Sequence, residues 1–65
     1  MIIEILSPQI NVPATRISEI LDRPAEFVGR TKYDQPLFSV EGEDEQAVLD
    51  ALFAKSYVAC RVDGS

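Results

Sequence analysis

The sequence predicts a small α+β domain, a four-stranded antiparallel sheet with two helices on one face. Three observations lead there. Four short segments are rich in β-branched and aromatic residues. Two longer segments space their apolar residues as a helix does. Proline and glycine help to separate these segments, in the order strand, helix, strand, strand, helix, strand.

Residues 2–6 (IIEIL) are β-branched, short and bounded by Ser7 and Pro8. Glu4 is the one polar residue, so this strand is expected near the middle of the sheet, buried on most sides. Residues 11–23 predict a helix with Asn11 as N-cap and Pro13 in the first turn, where a missing N–H costs nothing. Ile17, Ile20 and Leu21 form one stripe, and Pro24 stops the helix at Arg23.

Residues 26–33 predict a strand with Phe27, Gly29, Thr31 and Tyr33 on one face and Val28, Arg30 and Lys32 on the other. A turn at 33–36 leads to a strand at 37–41, with Phe38 and Val40 on one face, so the pair is expected to form a hairpin. Pro36 lies where a strand tolerates proline. Residues 43–55 predict the clearest helix. Glu43, Asp44 and Glu45 open it and Lys55 closes it, as the helix dipole prefers. Ala47, Val48, Ala51 and Leu52, with Leu49 and Phe53 alongside, form its apolar face. Residues 57–63 predict the last strand. Val58, Cys60 and Val62 point one way, Tyr57, Ala59 and Arg61 the other, and Asp63, Gly64 and Ser65 form a frayed end.

This order is that of the split βαβ, or ferredoxin-like, arrangement, here in a very small form. Right-handed crossovers place strands one and three in the middle and strands two and four at the edges. Residues 1–65 form a single domain with no internal repeat or linker.

Composition narrows the function. The 65 residues hold 6 Lys plus Arg and 11 Asp plus Glu, a net charge of −5. At 46% hydrophobic and 26% charged the chain is globular rather than disordered. The absence of histidine removes an imidazole base, a pH switch near neutrality and a His metal ligand. A single cysteine, Cys60, excludes an internal disulfide and a multi-Cys zinc site. The acidic run at 41–45 is too short for an EF-hand loop and continues straight into a helix. Gly29, Gly42 and Gly64 are scattered, so no phosphate loop is expected. Cys60, in phase with Val58 and Val62, is expected to pack as a small hydrophobe. No base, nucleophile and cleft come together, so no enzyme, metal or cofactor is expected. No segment has the charge pattern of a signal peptide or approaches the ~20 apolar residues of a membrane span. A lone thiol suits a reducing compartment, so a cytoplasmic location without membrane attachment is expected.

The acidic balance disfavours nucleic acid and favours a partner with a basic surface. A domain of this size buries only ~60% of its unfolded surface and has no staple, so it is expected to lean on a partner. A sheet with one uncovered face calls for a second layer, which leaves a homodimer slightly favoured. The expected function is a non-enzymatic protein-interaction module that binds a larger protein and regulates or inhibits it. By size and charge its analogues are phage-encoded inhibitors of nucleic-acid-handling enzymes, an analogy of scale and not of fold. The candidate surfaces are an acidic face (Glu41, Glu43, Asp44, Glu45, Asp50) and an edge strand carrying Arg30 and Lys32, open to an added partner strand. The plainer readings are a solvated first helical turn and charges that protect a sheet edge.

The alternative is a nucleic-acid-binding regulator that uses helix 13–23, with Arg16 and Arg23, and the basic residues of strand 27–33. The run NVPATRISEIL at 11–21 resembles the recognition helix of Cro/repressor-type helix-turn-helix proteins, HigA-like antitoxins in particular. The resemblance implies that Thr15, Arg16 and Ser18 face the major groove. It covers those eleven residues alone. The family has a positioning helix before them and further helices after them, where this chain has a β-branched strand and a hairpin. Stacking of bases on Tyr33, Phe38 and Tyr57 is disfavoured by the net charge and by a first strand without aromatics.

Overall fold

Alternation along two short strands places Ile3, Ile5, Phe38 and Val40 on the same side of a sheet, and the rest of the chain is folded around them. A computed structural model describes residues 1–6 and 11–63. The expected strand stop at Ser7 and Pro8 and the tail at Gly64 and Ser65 lie outside the described residues. The elements are β1 (Ile2–Ile5), α1 (Ala14–Leu21), β2 (Ala25–Arg30), β3 (Pro36–Val40), α2 (Glu45–Ala54) and β4 (Ala59–Arg61). They form a small α+β fold with a four-stranded sheet of order β2-β3-β1-β4, each neighbouring pair antiparallel.

Ile3 lies opposite Phe38 on one side and Arg61 on the other, and Ile5 lies opposite Ala59. Ile17 and Leu21 from α1 and Val48 and Leu52 from α2 close over these strand residues in one cluster, with Tyr57 at its rim. Among the described residues no helix is long and apolar enough to cross a membrane.

Several local expectations are corrected. Pro13, extended at φ −78° and ψ 155°, is the N-cap of α1 and gives no side-chain cap. Its carbonyl accepts from the N–H of Arg16 and Ile17. The Asn11 side chain instead accepts from Arg30 Nη2 at 3.5 Å. The helix ends at Leu21, before Arg23, because Asp22 turns left-handed at φ 55°. As the sequence indicates, β1 precedes α1 and the β2–β3 hairpin follows it, where a helix-turn-helix protein has helices. On α2 only Val48 and Leu52 are buried. Ala47 faces solvent and Phe53 is 70% exposed, because so short a helix buries one narrow stripe.

The pairing of β2 with β3 shifts between Phe27 and Gly29. Phe27 lies opposite Phe38, Gly29 opposite Leu37 and Arg30 opposite Pro36. Such a bulge inserts one residue and reverses the alternation beyond it. Arg30 therefore shares the Phe27 side of the sheet, not that of Val28 and Lys32, and Lys32 lies beyond the strand. Gly29 at φ 146° supplies a backbone angle that other residues rarely adopt.

The face turned away from the helices has its own register. Glu4 sits between Leu37 and Cys60, and Ile2 sits beside Ser39. The Leu6 N–H donates to the Val58 carbonyl at 2.7 Å and the Val62 N–H to the Ile2 carbonyl at 2.9 Å.

Leu52→Ala is expected to cost about 2–5 kcal/mol in a urea titration followed by circular dichroism. Phe53→Ala, next to it in sequence, should change stability by no more than about 0.5 kcal/mol. The opposite ranking would overturn the packing described for α2.

Candidate partner-binding surfaces

Gly42 turns the chain from β3 towards α2 at φ 102°. Arg23, just past the end of α1, reaches over this turn. Its Nη1 donates to Asp44 Oδ1 at 2.6 Å and its Nη2 to Asp44 Oδ2 at 2.9 Å, a two-pronged pair. Nη1 also donates to the Glu41 carbonyl at 2.9 Å. A Cβ at position 42 would lie 2.6 Å from that Nη1 and 2.7 Å from Asp44 Oδ1, so glycine is what lets the fork close.

Arg61 of β4 holds the same region from the other side. Its Nη2 donates to Glu43 Oε2 at 2.8 Å and its Nε to Asp63 Oδ1 at 2.8 Å, while Nη1 stands 3.9 Å from Glu45 Oε1. The two arginines thus engage Glu43, Asp44 and Glu45. Asp44 gives no side-chain cap to α2 because its carboxylate is occupied by Arg23.

The structure brings Glu41, Glu43, Asp44 and Glu45 together at the entry to α2. Asp50 lies further along the helix, where it accepts from Gln46 Nε2 at 2.9 Å. The basic pair is not gathered on one strand face. Arg30 Nη1 donates to the Asp34 carbonyl at 2.9 Å, and its guanidinium lies 5.8 Å from the centre of the Phe27 ring. Lys32 lies 5.2 Å from the ring of Tyr33, which is 72% exposed. Phe38 and Tyr57 are core residues, so of the three aromatics weighed for base stacking only Tyr33 is open to solvent.

The hydrogen bonds from Arg23, joined by a backbone N–H, hold the Asp44 carboxyl below its usual range. A backbone hydrogen bond from Ile2, then Arg61, does the same for Asp63. Burial, with Glu4 and Glu45 nearby, pushes the Cys60 thiol up. A thiol shifted in that direction is a poor nucleophile at neutral pH. Among the described residues no group of three or more His, Cys, Asp or Glu side chains could hold a metal ion.

A cleft of about 710 Å³ opens beside the acidic cluster. Glu26, Glu41 and Glu43 supply its acidic walls, and the Met1 ammonium, which donates to the Val40 carbonyl at 2.7 Å, is a positive charge among its other lining residues. Sequence reasoning missed Glu26 as part of this acid-rich end, because only the hairpin register brings it beside Ser39. It also missed Arg23 and Arg61 as the partners of the acids, since both lie far from 43–45 in the chain.

Comparison of the chain with protein-family models, with curated proteins and with solved structures gives no match.

Two outcomes are expected from this geometry. Gly42→Ala forces a strained angle and pushes apart the Arg23–Asp44 fork, so it should lower the urea midpoint by an amount equivalent to about 1–3 kcal/mol. The second concerns acid. Asp44 has a folded-state pKa below its ordinary 3.8. Its contribution is therefore complete above that value and is lost as pH falls through the lower, folded-state pKa. Unfolding measured from pH 5 to pH 2 should show a shallower acid loss in Asp44→Asn than in the parent. Superimposable curves would mean that the fork does not contribute in solution.

Proposed function

We propose that this protein is a non-enzymatic interaction module that docks on a larger protein with a basic surface and regulates or inhibits it. The observation that carries this reading is the acid-rich end of the fold. Glu26, Glu41 and Glu43 line an open cleft, and Asp44 and Glu45 stand beside it, held by Arg23 and Arg61. Carboxylates around a concave surface attract and orient basic side chains; Arg61 holds Glu43 in place, while among the described residues Glu26 and Glu41 stay free to pair with a partner. A nucleic-acid-handling enzyme is the kind of partner whose surface carries such charge. The nucleic-acid-binding alternative loses support, because Arg23 is committed to Asp44 and Arg30 is engaged by Asp34.

The accompanying fold reading is the split βαβ, ferredoxin-like arrangement. The order β2-β3-β1-β4 with antiparallel neighbours supports it. A lone thiol with no disulfide framework supports a reducing, cytoplasmic setting.

Affinity capture from lysate of the source cells, with a nuclease-treated control, followed by mass spectrometry, tests the function. The comparison bait is the Glu26→Lys/Glu41→Lys double variant, whose changed carboxylates take no part in the Arg23 and Arg61 ion pairs. A stoichiometric protein retained by the parent and lost by the variant is the expected result. Its retention should weaken steeply between low and high salt, as for any contact between exposed charges. Recovery of nucleic acid alone, or equal capture by both baits, would overturn the acid-end reading.

A further inference from the structure

The face of the sheet away from the helices departs from the usual pattern. An antiparallel sheet with one solvated face normally alternates apolar residues inward with polar residues outward. Here the outward positions hold Ile2, Leu6, Leu37, Val58 and Val62. Leu6, Val58 and Val62 are each more than 40% exposed. Register places Cys60 and Glu4 between them, with Glu4 flanked by Leu37 and Cys60 across the strands and by Ile2 and Leu6 along its own. Both helices are used on the other side, in the one core cluster. Among the described residues this is a sheet with two largely apolar faces and helices over one of them, and a sheet buries such a face against a second layer.

Charge selects what the second layer is. Glu4 makes no ion pair among the described residues. The other carboxylate on this face is Glu26, opposite Ser39, and the remaining ionisable strand residue there, Cys60, carries no positive charge. The same face of a second copy would therefore bring no cationic strand residue to Glu4, and the copy would add a further net charge of −5 against the first. We propose that the helix-free face is the docking surface for an apolar helix of a different protein, which presents a lysine or arginine to Glu4. The apolar ring supplies the area and excludes water, and the charge at its centre fixes the register of the partner. The inference deepens the interaction-module reading but rests on a separate surface from the acid-rich end.

The test is an NMR titration of the isotope-labelled protein with a synthetic amphipathic helical peptide of leucine, alanine and glutamine bearing one central lysine. The control is the same peptide with glutamate in place of the lysine. Saturable shifts at the methyl groups of Ile2, Leu6, Leu37, Val58 and Val62 are expected with the lysine peptide. Glu4→Gln should weaken binding by about tenfold or more, because it leaves the lysine unpaired in an apolar surround. Glu4→Lys should reverse the preference towards the glutamate peptide, which a purely structural role of Glu4 would not do. Should Glu4→Lys not fold, the Glu4→Gln comparison decides alone. No saturable binding at millimolar peptide would overturn the inference. So would a peptide-independent dimer in sedimentation that Leu37→Glu dissolves, since a second copy would then be the occupant. Shifts confined to residues 41–45 would also overturn it, while leaving the acid-end reading of the function in place.

Discussion

Ile3 against Phe38 is the contact on which the rest of the structure depends. The two side chains are fully buried on adjacent central strands, and every other element covers them or extends their sheet. Ile17 and Leu21 close them from α1, Val48 and Leu52 from α2, and the ring of Phe27 meets Phe38 edge-on at 5.8 Å. Among the described residues the buried side chains form this one cluster, so the apolar area gathered here opposes most of the chain's ordering entropy.

Around that core, the two arginines do what the short elements cannot. α2 begins without a side-chain cap, at the end of a turn that must pass through a left-handed glycine. Arg23 ties that turn to the end of α1, and Arg61 ties it to β4. Exposed ion pairs are individually weak, and neither arginine would stabilise the fold alone to a large degree. Their geometry matters more than their strength. They fix acids from three consecutive positions relative to the sheet, and so give the acid-rich end a defined shape instead of a diffuse charge.

Much of the fold was legible in the sequence because its punctuation is local. Pro36, the β-branched strands and the 3.6-residue spacing of Val48 and Leu52 each act over a few residues, and the order and type of all six elements followed from them. What was illegible depends on partners remote in sequence. The bulge at Phe27 and Gly29 exists only against β3, and it inverted the expected placement of Arg30. The acids at 43–45 were visible as a cluster, but their arginines were not. Pro13 displaced Asn11 as the cap of α1 because a ring with fixed φ, already extended in ψ, can hold the capping position without a side-chain bond. The alternation of Glu4 with Ile3 and Ile5 was in plain view. Which of the two faces it marked was settled only by where the helices lie.

The position of β1 also bears on how fast the molecule can assemble. β2 and β3 are joined by a short connection and can pair early. β1 is different, because both of its neighbours, β3 and β4, come from far along the chain. Each pairing must first close a long loop, and that entropy is lost before any contact offsets it. Until β1 arrives, Phe38 and Val40 remain partly uncovered on a strand with an open edge. Loop closure thus predicts that the centre of the sheet forms late in folding, and the interval before it is the time in which a second chain could take the vacant place.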